Sequence, residues 1–223
     1  MLANRWAFVV CSQSKELKKK THKWVTDIFK DNAYIFFLEG WNSIFKAYNK
    51  AIDISSESKY VCFVHEDIDL LHLDIKALES LLDKPATGFV GAAGAKRLPS
   101  NGCWWSGYDG KPNADLSGRA GHQKRDGHKV IRWINEYGPY GPVEVLDGLI
   151  LFCRRDLLNS IKWDDEYFDG WDYYDISITW EATNRGFINY TFEKMELYHW
   201  GLGEHRPGWE ENRVKFLKWK ETK

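Results

Sequence analysis

Residues 60–69 read YVCFVHEDID, an apolar run that ends directly in acidic residues. The part Tyr60–His65 lacks the alternation of a half-exposed strand, which is typical of a strand covered on both faces in a parallel sheet. The carboxylates of Asp67 and Asp69, one residue apart, can bind one hard cation, and oxygen ligands of this kind select Mg²⁺ or Mn²⁺. Acids at this spacing are also common in exposed turns. Their place at the end of a strand favours a ligand site.

Apolar runs of the same kind recur at Arg5–Cys11, Phe89–Ala95 and Val145–Cys153. Helical patterns separate them, and Ser14 and Asp74 are placed to cap the first and third helices. The residues that these helices would bury are Leu17, Thr21, Val25 and Ile28, then Ile44, Phe45, Tyr48 and Ile52, then Ile75, Leu78 and Leu82. The alternation predicts an α/β fold with an open, mostly parallel sheet flanked by helices. Ligands of such sheets bind beyond the carboxyl ends of the strands.

The bulk composition is that of a folded protein. The 223 residues, 43% hydrophobic and 28% charged, fit a single domain spanning 1–223. A formal net charge of -1 gives no general attraction to nucleic acid or anionic lipid, so we expect a small molecule or a glycan as partner. The apolar run Trp6–Cys11 is too short for a signal peptide and no run is long enough for a transmembrane segment, which predicts a cytoplasmic location. The four cysteines lack C-x-x-C spacing and are expected to be buried thiols.

The segment Lys96–Pro142 interrupts the pattern with frequent glycines and no sustained periodicity. We predict a long loop insertion here, much longer than an ordinary connection. Between Lys96 and Arg132 it carries eight basic residues against three aspartates, an excess of five positive charges. This charge fits either a solvated surface loop or a mobile lid that closes over the phosphates of a ligand.

A second group of acids is interleaved with aromatic residues in the run FDGWDYYD at 168–175. Asp175 lies near the start of the helix that follows, where helix capping explains one acid but not three. Aromatic rings stack on the C–H faces of sugars, while carboxylates accept hydrogen bonds from hydroxyl groups. The run therefore indicates a sugar-binding site.

Taken in order, the motifs of the chain resemble those of the family 2 glycosyltransferases. They are VVCS at 9–12, NSIFKAYNKAI at 42–52, FVHED at 63–67, LPS at 98–100 with WWSG at 104–107, VLDGLILFCRRD at 145–156, FDGWDYYDISI at 168–178, and HWG at 199–201 with WEENR at 209–213. The resemblance spans Val9–Arg213 and is nearest to the streptomycin-biosynthesis glycosyltransferase-like branch. It implies a GT-A fold, a nucleotide-sugar donor and inversion at the anomeric carbon.

The resemblance also implies a donor site. The nucleotide would contact Ser12, Glu39, His65 and Asp67, and a Mn²⁺ or Mg²⁺ ion would bind Asp67, Asp69 and His199. Where the family's D-x-D pattern begins with an acid this chain has His65, so either His65 or Asp69 pairs with Asp67 at the metal. His199 itself fits a packed histidine as well as a ligand.

For the acceptor, the resemblance implies that Asp175 is the base that takes the proton from an acceptor hydroxyl. The family's second acid, two residues later, is replaced by Ser177. Substrate contacts are expected from Trp104, Trp105, Trp171 and Asp172. Trp104 and Trp105 also fit a hydrophobic plug in the long loop. The acceptor would be a glycan, a lipid-linked sugar or a small molecule.

Other classes of function stay open at this point. A non-catalytic nucleotide-sugar or glycan-binding module is favoured by the replacements at His65 and Ser177. A glycosidase would also use paired carboxylates, but it would leave the basic segment and the D-x-D spacing unexplained. A dinucleotide-binding dehydrogenase has only the fragment GAAG at 91–94 in its favour.

Overall fold

The computed structural model describes residues 5–200 and 207–223. Its elements in chain order are β1 (Trp6–Cys11), α1 (Lys15–Phe29), β2 (Ala33–Leu38), α2 (Ile44–Ile54), β3 (Tyr60–Val64), β4 (Ile68–Leu73), α3 (Ile75–Leu82), β5 (Thr87–Gly91), β6 (Ala93–Ala95), β7 (Leu116–Asp126), β8 (Lys129–Gly138), β9 (Pro142–Val143), β10 (Val145–Leu146), β11 (Ile150–Arg154), α4 (Leu157–Ser160), α5 (Tyr174–Asn184), β12 (Ile188–Thr191), β13 (Met195–Trp200) and α6 (Pro207–Lys220). The predicted α/β fold is confirmed.

The first three helices begin where the sequence predicts. The side chains of Ser14 and Asp74 cap α1 and α3 by accepting backbone hydrogen bonds from the first turn of each helix. The buried face of α2 includes the expected Ile44, Phe45, Tyr48 and Ile52. The buried residues of α1 are Thr21, Trp24, Val25 and Phe29, so its buried stripe is rotated slightly from the predicted one. Side chains of α1 pack on β1, where the rings of Phe29 and Phe8 are centred 4.7 Å apart, and side chains of α2 pack on β3, where the rings of Tyr48 and Phe63 are centred 4.7 Å apart.

The larger sheet has seven strands in the order β2-β1-β3-β11-β5-β12-β9. The strands β2, β1 and β3 are parallel, as are β5 and β12, but β11 runs antiparallel to both of its neighbours. The sheet is therefore mixed, and β11 is its main departure from the expected parallel arrangement. A turn at Gly148 and Leu149 divides the run predicted as one strand, Val145–Cys153, into β10 and β11. A continuous apolar run has the same composition in either direction, so the sequence does not reveal this reversal.

The smaller sheet has the order β10-β6-β7-β13-β4, with β8 paired to β7. The strands β7 and β8 form an antiparallel hairpin inside the segment predicted as a long loop, which corrects that prediction. Three of the glycines that suggested a loop, Gly118, Gly121 and Gly138, allow close packing within the sheet instead. A Cβ atom on Gly121 would lie 2.4 Å from the carbonyl oxygen of Leu197, and Gly118 has φ +83° at a bulge in the hairpin.

Buried side chains from both sheets join in one core. Large aromatic residues fill it beneath β1 and β3, with the rings of Trp6 and Tyr60 centred 4.6 Å apart. Cys62 and Cys153 are buried and Cys11 and Cys103 are partly buried, all as free thiols. Within residues 5–200 and 207–223, no helix combines the length and apolar character needed to cross a bilayer.

Candidate active site

A cleft of about 1170 Å³ opens at the carboxyl ends of β1 and β3. The hairpin of β7 and β8, the turn before β11 and the start of α5 form its other walls. The sequence-predicted residues that line it are Ser12, His65, Asp67, Trp104, Trp105, Trp171, Asp172, Asp175 and His199. Glu39 and Asp69 are not among the described residues of its lining. The cleft lies where the strand order predicts a ligand site.

Three side chains able to bind a metal ion converge in this cleft, from His65, Asp67 and His199, and their ligand atoms all lie within 4.8 Å of one another. Nε2 of His199 is 3.1 Å from Oδ2 of Asp67, and Nδ1 of His65 is 3.9 Å from Oδ1 of Asp67. The end of β3 positions His65, the following turn positions Asp67, and β13 positions His199. The backbone N–H of Trp200 donates to the carbonyl oxygen of Asp67 at 3.0 Å, which holds the turn against β13.

The tautomer of His65 is set by Tyr174. The Tyr174 hydroxyl donates its proton to the carbonyl oxygen of Gly148 at 2.9 Å, and the same oxygen lies 2.6 Å from Nε2 of His65. Because a hydroxyl has one proton to donate, it must accept the hydrogen bond from Nε2–H of His65. A neutral His65 then carries its lone pair on Nδ1, the nitrogen that faces Asp67. The imidazole is thereby oriented to offer Nδ1 to a metal.

Asp67 is the charged member of this group. Burial opposes its ionisation, but the hydrogen bond from His199 and the electrostatic effects of His199 and then His65 outweigh that cost and lower the pKa of Asp67. Its side chain keeps 27% exposure to the cleft. The carboxylate is therefore ionised at neutral pH and accessible to a cation.

Asp69, the other predicted metal ligand, lies outside the group. Its Oδ2 accepts hydrogen bonds from Nε2 of Gln123 at 2.6 Å and from Nε1 of Trp200 at 2.9 Å. The Asp69 carboxylate thus links β4 to β7 and β13 and stabilises the smaller sheet. Of the two partners that the sequence left open for Asp67, the structure brings His65 to it.

Asp175 faces the cleft from the first turn of α5. Its Oδ2 accepts a hydrogen bond from the backbone N–H of Gly148 at 2.8 Å, and its Oδ1 accepts one from the N–H of Ile176 at 2.8 Å. Burial, followed by the nearby charge of Asp147, raises the pKa of Asp175 to about 7 in spite of these hydrogen bonds. A carboxylate with this pKa can accept a proton near neutral pH.

Asp147 is a cleft residue that sequence reasoning missed. Its Oδ1 accepts a hydrogen bond from the N–H of Leu149 at 3.0 Å. Burial raises the pKa of Asp147. The hydrogen bond from Leu149 and the electrostatic effect of His199 lower this pKa, but by less than burial raises it. Ionisation of either Asp147 or Asp175 therefore disfavours ionisation of the other. A signal was present in the sequence, because Asp147 interrupts the apolar run Val145–Cys153 much as Asp67 follows Tyr60–Val64.

The backbone at the start of α5 is held in an uncommon conformation. Tyr173 has φ +67°, in the left-handed region that tyrosine rarely adopts. Its hydroxyl donates to the carbonyl oxygen of Gly102 at 3.1 Å, which anchors it in the wall of the cleft. Such strain persists where surrounding contacts fix it. The two residues that follow, Tyr174 and Asp175, are those that contact His65 and line the cleft.

The residues predicted near the nucleotide occupy two different places. Ser12 is buried at the end of β1 and donates to Oε2 of Glu66 at 2.5 Å. The same Glu66 oxygen accepts the backbone N–H groups of Gln13 and Ser14, each at 3.2 Å, so this acid organises the turn into α1. Glu39 forms an ion pair with Lys18.

Aromatic rings also line the cleft. Trp104 is buried, with its ring centred 5.0 Å from that of Tyr137 and 5.7 Å from that of Trp105. Trp105 lies 5.7 Å from Trp209 of α6, which the sequence did not single out for the site. Trp105, Trp171 and Trp209 are partly exposed in the cleft and offer ring faces to a sugar.

Two solved structures are similar to this chain. One is A197 from STIV, with a TM-score of 0.54 at 14% identity, over 87% of this chain and 85% of that chain. The other is GalNAc-T7 with UDP, GalNAc and Mn²⁺, with a TM-score of 0.60 at 8% identity, over 97% of this chain and 48% of that chain. This chain thus spans about half the length of the latter. At these identities the likeness concerns the fold, which is similar to that of the GT-A glycosyltransferases.

No curated protein sequence matches the chain. The sequence model of a family described as "Glycosyltransferase like family" matches residues 7–218, which is nearly the whole chain and contains every element that lines the cleft. The chain therefore belongs to this glycosyltransferase-like family.

Proposed function

We propose that this protein is a metal-dependent glycosyltransferase that moves a sugar from a nucleoside-diphosphate sugar to an acceptor hydroxyl. The observation that carries the proposal is the convergence of His65, Asp67 and His199 in the same cleft as the carboxyl of Asp175. A charge-stabilising group for the donor and a base for the acceptor are the two parts that such a transfer needs.

The side chains present fit a divalent cation. Asp67 is ionised, His65 offers Nδ1, and three protein ligands leave coordination positions for phosphate oxygens and water. Two imidazole nitrogens are softer ligands than oxygen, so this set favours Mn²⁺ over Mg²⁺. When bound, the ion would offset the negative charge of the diphosphate and of the departing nucleotide.

The protein's own groups would then position the reactants. Ser12 lies at the end of β1 beside the metal-binding group and is the candidate for a nucleotide contact, whereas the ion pair of Glu39 with Lys18 gives less support to a direct contact there. Trp105 and Trp171 would stack on sugar rings, and Asp172 would accept a hydroxyl hydrogen bond. The acceptor would be a glycan, a lipid-linked sugar or a small molecule.

Asp175 would take the proton from the acceptor hydroxyl as that oxygen attacks the anomeric carbon. The hydrogen bonds from Gly148 and Ile176 fix the carboxylate, and burial, followed by the charge of the neighbouring Asp147, raises its pKa toward neutrality. A single attack from the side opposite the leaving nucleotide inverts the anomeric carbon. The order of motifs over Val9–Arg213 supports a place near the streptomycin-biosynthesis branch.

The second candidate is a binding module without turnover, which the replacement of the family's second acid by Ser177 favours. Ser177 is buried, and its hydroxyl donates to the carbonyl oxygen of Tyr174 at 3.2 Å. Position 177 therefore faces the interior of the protein, and Ser177 is not among the described residues that line the cleft. Asp175, the residue that a transferase requires, is retained.

The test is release of nucleoside diphosphate from a panel of nucleotide sugars, with and without Mn²⁺, in the presence of saccharide and lipid-linked acceptors. We expect Mn²⁺-dependent release with at least one donor, and its loss in Asp175→Asn with donor binding intact. Mn²⁺-dependent nucleotide binding without release from any donor would contradict transfer and identify a binding module.

A further inference from the structure

The end of the β7–β8 hairpin exposes apolar side chains to solvent. We call residues 124–134 the hairpin tip. Within it Val130, Ile131 and Ile134 are 49%, 40% and 43% exposed. They account for three of the large apolar side chains that are exposed among the described residues, and they lie within five positions of one another. A cluster of this kind is typical of an interaction surface rather than of scattered surface residues.

The hairpin tip is also strongly basic. It contains Lys124, Arg125, Lys129 and Arg132 against one acid, Asp126, and so has a net charge of +3 in a chain whose net charge is -1. Among the described residues, no carboxylate lies within ion-pair distance of any of these four cations. Half of the basic residues that the sequence singled out in Lys96–Arg132 are therefore at this tip, and none of the four has a described acidic partner.

The arrangement of the tip places cations beside apolar groups. Across the hairpin, Val130 pairs with Arg125 and Ile131 pairs with Lys124, next to the turn at Gly127. Neighbouring residues of a strand point to opposite faces, so both faces of the ribbon are apolar and basic near its end. A ribbon of this kind can enter a lipid headgroup region end-on, since long basic side chains reach lipid phosphates while the apolar groups lie deeper.

A second copy of the chain fits this surface less well. The strand β8 is bonded to β7 and has no other strand partner among the described residues, so its outer edge could pair with another strand. A parallel, in-register pairing of two copies of β8 would bring Lys129 and Arg132 of one copy beside the like charges of the other. The same charges are complementary to anionic lipid.

We propose that the hairpin tip binds the surface of a bilayer that contains anionic lipid. Lys124 and Asn135 line the cleft, so a bilayer at the tip would lie beside its opening. Resting on the proposed function, this position favours a lipid-linked acceptor over a free saccharide. The bilayer binding itself does not depend on donor, metal or turnover.

The experiment is co-sedimentation of the protein with vesicles of phosphatidylcholine alone or with phosphatidylglycerol, without nucleotide or metal. We expect binding to the anionic vesicles only, weakened by salt. The double variant Lys124→Ala, Lys129→Ala should bind roughly 25-fold more weakly, at about fivefold per lysine. The double variant Val130→Asn, Ile131→Asn should bind about tenfold more weakly.

Matched controls lie elsewhere on the surface. Leu71 is 49% exposed on β4, and Leu71→Asn should bind as the wild type does. The double variant Lys76→Ala, Lys84→Ala removes the same charge from exposed positions near α3 and should also leave binding unchanged. Equal binding to both vesicle types, or equal loss in the control and hairpin-tip variants, would overturn the proposal. Concentration-dependent dimers that Val130→Asn, Ile131→Asn abolishes, without vesicle binding, would instead assign the surface to a second copy.

Discussion

Replacing Asp175 by asparagine should change how the stability of the protein depends on pH. The pKa of Asp175 is about 7 in the folded protein, against 3.8 for an ordinary aspartate. Between these values the folded state binds one more proton than the unfolded state, so stability falls as pH rises and the loss is complete above the folded pKa. At about 1.36 kcal/mol per pH unit, ionisation of this carboxyl costs roughly 3 kcal/mol of stability between about pH 5 and about pH 8. An asparagine cannot ionise and avoids this cost.

The assay is urea-induced unfolding of the wild type and of Asp175→Asn at both pH values, with EDTA present. Asparagine offers one oxygen where Asp175 accepts two backbone N–H bonds, which costs about 1–3 kcal/mol at either pH. The comparison between pH values cancels that cost. We expect the stability of the variant relative to the wild type to rise by roughly 3 kcal/mol from the lower pH to the higher. Equal pH dependence in the two proteins would refute the argument.

Two further predictions concern the contacts of Tyr174 with His65 and Gly148, and a third concerns residues 96–115. Tyr174→Phe removes the acceptor that fixes Nε2–H of His65, so Mn²⁺ affinity measured by calorimetry should fall about 10–100-fold, and an unchanged affinity would contradict the tautomer assignment. Gly148→Ala would place a Cβ atom 2.1 Å from the Tyr174 hydroxyl, so the melting temperature of this variant should drop sharply. The control Gly107→Ala should lower the melting temperature less, because the space around Gly107 is open and only its left-handed backbone would be strained. Limited proteolysis should cut residues 96–115 before the hairpin, and donor with Mn²⁺ should slow that cut if the segment closes over the ligand.

Much of the fold could be predicted from local patterns. The capping residues Ser14 and Asp74 and the apolar stripe of α2 depend on neighbours within one helix, and these predictions hold in the structure. The direction of β11 depends on a turn and on pairing with distant strands, so composition did not reveal it. The sequence did not predict the hairpin of β7 and β8, because its glycines resemble loop residues. In the structure Gly121 allows close packing against β13 and Gly118 lies at a bulge.

The site shows the same division. The run after β3 predicted the place of the cleft, because acids at the end of a buried strand are unusual, and Asp67 lies in the cleft lining. Spacing alone did not show which of His65 and Asp69 lies beside Asp67, because Gln123 and Trp200 bind Asp69 from other strands. Asp147 was missed because its effect on the site comes from its proximity to Asp175. Asp175 belongs to α5, and only the folded chain brings the two residues together.

The most direct test of the account is calorimetry of nucleoside diphosphate binding with Mn²⁺ and with EDTA, using UDP as the first probe. A diphosphate beside Asp67 requires a cation to offset the like charge. We predict that Mn²⁺ strengthens binding to the wild type at least tenfold. It should have no effect on Asp67→Ala. Asp69→Asn is the matched control and should keep the Mn²⁺ dependence. The Asp69 carboxylate accepts hydrogen bonds from Gln123 and Trp200 and lies outside the group of His65, Asp67 and His199. Equal affinity with EDTA and with Mn²⁺ in the wild type, across a panel of nucleoside diphosphates, would contradict the metal-dependent donor site.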